Sequence, residues 1–277
     1  MARQIKRRPK GSDARLAPMA PRRKTRVDNH ILDNVHTYRV DLDTFTIYLG
    51  NEETVIHSDA PESLEPGVEH NMAGRFERNL GILSSIDPTR PILINLASCG
   101  GFWEEGMQMF SALLASPNPT TVLAMKDARS MTSIIPLAAD RFVLREPTGY
   151  MFHHGSWEFS GLTQEATTQL VELLKTQDMM LRLYVARLKE QGQFQKSPPE
   201  KIRKMLEGLM ERRIDTFLSA DEAKKWGFVD DVIDGTHTIS RAMERNEERR
   251  KRMFRVLSAP VDVSKLLGNL GRQFKPE

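Results

Sequence analysis

Three side chains, far apart along the chain, have the types that acyl-transfer chemistry requires: Ser130, His153 and Asp215. A serine hydroxyl is a weak nucleophile and needs a base to take its proton. An imidazole does this near neutral pH. A carboxylate on the far ring nitrogen fixes the tautomer and stabilises the imidazolium. The charge that develops on the attacked carbonyl oxygen needs backbone N–H donors aimed at it. Gly101, in the pair Gly100-Gly101, can present its N–H closely because no Cβ stands in the way. Met131 follows Ser130 at the mouth of an expected helix, where first-turn N–H groups are unpaired and the helix field favours negative charge.

Singly, each feature has a plainer reading. Ser130 alone reads as a helix cap, His153 as a structural histidine, Asp215 as a solvated or capping acid, and Gly100-Gly101 as a turn. The combination and its order along the chain carry the reading of a serine hydrolase.

The elements that must position these residues follow from hydrophobic periodicity. Residues 44–50 read as a strand. Apolar residues at helical spacing from Val68 to Leu83 predict a helix that Asp87-Pro88 stops. The run 91–97 is continuously apolar, as in a strand buried on both faces of a parallel sheet, and Ser98-Cys99-Gly100-Gly101 turns out of it. A helix over 103–114 and a strand over 120–125 follow. Ser130 opens a helix to about Ala139. Short strands at 141–144 and 150–153 come next, then a helix at about 163–190. After a polar break at 191–199 the pattern predicts helices at about 200–212 and 219–226. Ser219 and Glu222 stand at capping-box spacing in the second of these. A last strand spans 228–233, a charged helix 240–257, and 258–277 reads as a loose tail. Alternating strand and helix argues for an α/β fold built on βαβ crossovers.

In this order and on these elements, the residues resemble the Clp protease proteolytic subunit family, ClpP, a family of self-compartmentalised serine peptidases. The family's Ser-Pro-Gly-Gly turn and following Gly-Met are matched by Ser98-Cys99-Gly100-Gly101 and Gly106-Met107. Its Ala-Ser-Met-Gly is matched by Arg129-Ser130-Met131-Thr132, and its Met-Ile-His by Met151-Phe152-His153. Its acid, before Arg-Phe-Leu-Ser-Ala, is matched by Asp215 before Thr216-Phe217-Leu218-Ser219-Ala220. Its closing segment is echoed by Glu222-Ala223 and Trp226-Gly227-Phe228-Val229-Asp230.

The resemblance implies a ClpP/crotonase-like fold of repeated ββα units with a protruding strand-helix handle. The peptidase domain would span 44–234 with the handle at about 156–212. A basic arm at 1–43 and a charged helix and tail at 235–277 would flank it. It implies Ser130 as nucleophile, His153 as base, Asp215 as orienter, and the N–H groups of Gly101 and Met131 as the oxyanion hole. It implies a homo-oligomeric ring, a heptamer or double heptamer, that hydrolyses unfolded polypeptides in a chamber, with an AAA+ unfoldase as partner for folded substrates. A cytoplasmic location, bacterial or in phage-infected cells, is expected ahead of import into an organelle, and neither cofactor nor metal is expected.

Composition bounds these expectations. The charge is +3, from 40 Lys/Arg against 37 Asp/Glu. Residues 1–26 carry ten Lys/Arg and one acid, Asp13, so the basic balance belongs to an expected disordered arm rather than the domain. That makes nucleic acid an unlikely partner. One cysteine excludes an internal disulfide and favours a reducing compartment. No apolar run reaches the ~18 residues of a membrane span, and no phosphate-binding Gly-Lys-Ser/Thr loop implies ATP hydrolysis by this chain.

Some residues depart from the family pattern. Thr132 replaces a Gly and is expected to crowd the wall of the site. Arg129 replaces a small residue. Cys99 replaces the turn Pro and reads as a small buried residue. His154 adjoins His153, and strand alternation allows only one of them to face Ser130. Competing readings are a phage capsid-maturation protease of the same fold, an inactive structural ring subunit, and a crotonase-type acyl-CoA enzyme.

Overall fold

The structure is a computed structural model that describes residues 34–50, 67–156, 161–234 and 239–273. Most of the basic arm, residues 51–66, and most of the handle strand expected at 156–161 lie outside the described residues.

Strands β1 (Val40–Asp41), β2 (Thr46–Gly50), β3 (Ile92–Ala97), β4 (Thr120–Ala124), β6 (Arg141–Arg145) and β9 (Asp231–Ile233) form a six-stranded sheet in the order β1-β2-β3-β4-β6-β9. All neighbours are parallel except the β1–β2 pair. Parallel neighbours need crossovers, and helices supply them. Helix α1 (His70–Ile86) joins β2 to β3, and α2 (Trp103–Ala115) joins β3 to β4. In α1 the buried Met72, Phe76, Leu80 and Leu83 repeat at helical spacing, and Glu69 caps the first turn by accepting from Asn71 and Met72 N–H.

Alternation along the strands divides the sheet into two faces. Ile92, Ile94, Leu96, Val122, Phe142 and Leu144 point into the main core beneath the helices. Leu93, Leu123 and Val143 form a narrow apolar strip on the other face. The expected α/β architecture is therefore present. Burying a Leu, Ile or Phe side chain is worth ~1.5–3 kcal/mol, so this core sets the frame on which the site residues are hung.

The two-residue β1 was not legible in the sequence, nor were two further short strands, β5 (Ala128–Arg129) and β8 (Asp215–Leu218). With β7 (Tyr150–His153) the latter two make a separate three-stranded sheet, ordered β5-β7-β8. Helix α3 (Met131–Ile134) follows β5 and tightens into a 3₁₀ turn at Ile135–Ala138. The long helix α4 (Thr163–Leu188) and α5 (Pro199–Arg212) then lead back to β8. Helix α6 (Ala220–Trp226) begins with the capping box of Ser219 and Glu222 and ends at Gly227, whose φ of 108° suits glycine.

The charged C-terminal segment is helical over a shorter stretch than expected, as α7 (Glu247–Ser258), and the presumed loose tail contains α8 (Val263–Gln273). Helix α7 is anchored by buried charge. The Arg250 guanidinium pairs with Asp140 at 2.6 Å and donates to the carbonyls of Leu114, Ser116 and Asn118. Arg249 pairs with Asp230 and Glu190, and Arg187 of α4 shares both carboxylates. Burial works to raise the Asp230 pKa, but Arg187 and Arg249 together hold it well below the usual carboxylate range. A sequence reading sees only a run of charge here, because the carboxylate partners of Arg249 and Arg250 lie 19 to 110 residues away.

Candidate active site

The small sheet delivers the three predicted side chains to one place. Strands β7 and β8 pair antiparallel, with His153 directly opposite Asp215. Directly opposed residues point to the same face, so the register alone brings imidazole and carboxylate together. The inward residues of the same strands, Phe152 and Thr216, are buried. On the other side of β7, β5 pairs in parallel, and Ser130 N–H donates to the Met151 carbonyl at 3.2 Å. Ser130 thus ends β5 beside the strand end that carries His153.

The resulting geometry is a relay. His153 Nε2 lies 2.8 Å from Ser130 Oγ. His153 Nδ1 lies 3.3 Å from an Asp215 carboxylate oxygen. The first distance is a good hydrogen bond; the second is ion-pair distance, long for a hydrogen bond. The Asp215 carboxylate is 42% exposed and the His153 ring 20%, so the pair sits at the edge of solvent rather than in the core.

Ser130 has φ 52° and ψ −126°. A non-glycine residue there carries backbone strain of ~1–3 kcal/mol and persists only where its surroundings over-determine it. The sharp turn from β5 into α3 aims the hydroxyl outward. Gly100 makes the turn fit: at φ 112°, a Cβ there would stand 2.7 Å from Ser130 Cβ and 2.8 Å from the Arg129 carbonyl oxygen. The Gly100-Gly101 segment is held from behind by Val68, whose N–H donates to the Gly100 carbonyl and whose carbonyl accepts from Phe102 N–H, both at 2.8 Å. A Cβ at Gly101 would overlap the Val68 backbone. Gly106 serves α3 in the same way, since a Cβ there would overlap the Met131 side chain.

These residues open onto a cleft of about 730 Å³. Gly101, Ser130 and His153 line its floor; Ile134, Leu173 and Met180 supply an apolar wall. Glu104, Gln169 and Gln177 make the rim polar. Helix α4 contributes much of this wall, so the strand-helix segment after His153 shapes the cleft.

The four departures from the family pattern are resolved individually. Thr132 does not crowd the cleft: it is fully buried and its hydroxyl bonds to backbone on both sides of the turn. Arg129 folds away onto Asp127 and lies over the Phe217 ring, 5.4 Å from its centre. Cys99 is exposed at the cleft rather than buried, because its side chain leaves the turn on the solvent side. Of the two histidines, His153 bonds Ser130, while His154 lies just past the end of β7 and also borders the cleft. Burial pushes the His154 pKa down, against the pull of Glu211 and Glu207. Sequence reasoning missed two contributors, Ser133 and Tyr184. Ser133 Oγ lies 2.6 Å from the Ser130 carbonyl oxygen and 2.7 Å from Tyr184 Oη. Tyr184 sits in a plain helical apolar pattern that gives no signal of this contact.

Among the described residues no group of His, Cys, Asp and Glu is arranged to hold a metal ion. No helix among them is long and apolar enough to cross a membrane.

A family model described as Clp protease matches residues 57–236 of the chain. The chain belongs to the Clp protease family. It is 29% identical over 172 residues to the ATP-dependent Clp protease proteolytic subunit of Deinococcus radiodurans, covering 61% of this chain and 78% of that protein. It is 27% identical over 180 residues to the ATP-dependent Clp protease proteolytic subunit 1 of Protochlamydia amoebophila, covering 64% of this chain and 81% of that one. A solved ClpP1 mutant from Listeria monocytogenes superposes with a TM-score of 0.53 at 22% identity, over 70% of this chain and 94% of that chain. The fold is thus that of ClpP, and the family is one of peptidases.

Proposed function

We propose that this chain is a serine endopeptidase subunit that hydrolyses peptide bonds of unfolded polypeptides. The observation that carries the reading is the Ser130 Oγ to His153 Nε2 distance of 2.8 Å, with Asp215 in register behind the imidazole. Ser130 Oγ attacks the scissile carbonyl carbon while His153 Nε2 takes its proton. The oxyanion is met by the N–H groups of Gly101 and Met131 at the turn and at the start of α3. The protonated imidazole then gives its proton to the leaving amine, and an acyl-enzyme remains on Ser130. Water, deprotonated by the same imidazole, releases the acyl group. Asp215 orients the ring and offsets its positive charge.

Family membership supports a homo-oligomeric ring as the working form and an AAA+ unfoldase as its partner for folded substrates. It also supports a cytoplasmic setting. A cleft of about 730 Å³ suits an extended chain rather than a folded domain. An inactive ring subunit is the weaker reading, because the serine and imidazole already stand at hydrogen-bond distance. The test is labelling with a fluorophosphonate probe, with the modified residue located by mass spectrometry. An adduct on Ser130 that is lost in the His153→Ala protein is expected. An assembled protein that takes no label would overturn the reading.

A further inference from the structure

Ser130 is held in its strained conformation by several grips. Its N–H donates to the Met151 carbonyl, and its carbonyl accepts from Ser133 N–H at 2.9 Å and from Ser133 Oγ at 2.6 Å. These fix it to β7 and α3. The Thr132 hydroxyl reaches the other side of the site. It accepts from Arg129 N–H at 3.0 Å, the amide of β5 that faces away from β7. Its oxygen is also 2.9 Å from the Ser98 carbonyl oxygen and 2.8 Å from that of Arg129.

A hydroxyl has one proton and two lone pairs. Its proton is therefore shared between the two carbonyls while a lone pair holds the Arg129 N–H. Ser98 directly follows β3 and opens the turn that leads to Gly101. Thr132 is fully buried, so water does not replace these bonds when they are lost. One hydroxyl thereby ties the nucleophile turn to the strand end that carries Gly100-Gly101.

We infer that Thr132 is a positioning residue: its hydroxyl sets the separation between Ser130 Oγ and the Gly101 N–H, and through it the reactivity of the serine. The inference rests on the peptidase reading above. Thr132 touches no substrate, and its effect passes through the backbone of residues 98 and 129.

The test compares the full chain with its Thr132→Val and Thr132→Ser variants. Three quantities are read: the fluorophosphonate labelling rate of Ser130, kcat and KM on a short fluorogenic peptide, and thermal stability. Valine keeps the shape without the hydroxyl; serine keeps the hydroxyl without the methyl. The valine variant is expected to lose about tenfold or more in labelling rate and in kcat, with KM little changed, where tenfold corresponds to ~1.4 kcal/mol. The serine variant is expected to stay within about threefold of the parent, a barrier change below ~0.7 kcal/mol.

A valine variant that melts lower but labels at the parent's rate would show a purely structural role and overturn the inference. So would a serine variant as impaired as the valine one. If the valine variant does not fold, Thr132→Cys, a weaker donor and acceptor of serine's shape, is read against Thr132→Ser, and equal rates overturn it. A parent unlabelled at Ser130 sinks the peptidase reading and this inference with it. A labelled parent with an unchanged valine variant sinks this inference alone.

Discussion

Asp215→Asn removes the charge behind His153 while keeping the size of the side chain. The effect can be bounded from the 3.3 Å contact and the 42% exposure of the carboxylate. Two unit charges at that distance attract by ~5 kcal/mol at an effective dielectric of ~20 and by ~1.3 kcal/mol at that of water. The exposure puts this pair towards the screened end, as for other half-exposed ion pairs. Asparagine also lets its amide N–H approach Nδ1, which favours the tautomer with the proton on Nε2, where the base must be free. Taking ~1.5–3 kcal/mol for lost stabilisation of the transition state, kcat should fall by about 10- to 150-fold. The assay is kcat and KM for a short fluorogenic peptide, with Ser130→Ala as the inactive reference. A variant within about twofold of the parent, a barrier change below ~0.5 kcal/mol, would show that His153 is oriented without Asp215. A variant as inactive as Ser130→Ala would refute the argument from a screened charge and show that the imidazole tautomer dominates the loss.

Other perturbations test the frame around the triad. Gly100→Ala places a Cβ 2.7 Å from that of Ser130 at a φ of 112°; loss of Ser130 labelling is expected, together with destabilisation above the ~0.4–1 kcal/mol scale of permissive glycine changes, read by labelling and thermal melting. Arg250→Met leaves Asp140 buried without its cation and should cost ~3–5 kcal/mol in a denaturant titration; an unchanged midpoint would show that α7 is not anchored there. Acid should loosen the same region. Burial raises the Asp140 and Asp230 pKa values, but their arginine partners lower them further, to below the ordinary carboxylate value. Their contribution is therefore complete above the unfolded pKa of about 3.9 and is lost as pH falls through the lower folded values. Stability followed by circular dichroism should be flat in this respect at neutral pH and fall below about pH 4, with a smaller acid loss in Arg250→Met.

Hydrophobic period and a few fixed-spacing motifs are local properties, and what depends on them was legible in the sequence. The apolar strand 91–97, the helix that Asp87-Pro88 ends, the capping box at Ser219 and the Gly-Gly turn all declare themselves within a few residues. So do the types of Ser130, His153 and Asp215, which name a chemistry without placing it. The two-residue β5 is too short to carry a period, and β8 lacks the apolar run that marks the equally short β7; only pairing with β7 makes them strands. That pairing decides the site, because register sets His153 opposite Asp215 and seats Ser130 beside them. The same holds for Thr132, which reads as an intrusion in the sequence and becomes a buried tie once Ser98 folds against it. It holds also for Arg249 and Arg250, a charge run whose carboxylate partners lie 19 to 110 residues away. Sequence fixes which groups exist and which local conformations they prefer; contacts between distant segments depend on how the core packs, and those contacts turn a serine, a histidine and an aspartate into one site.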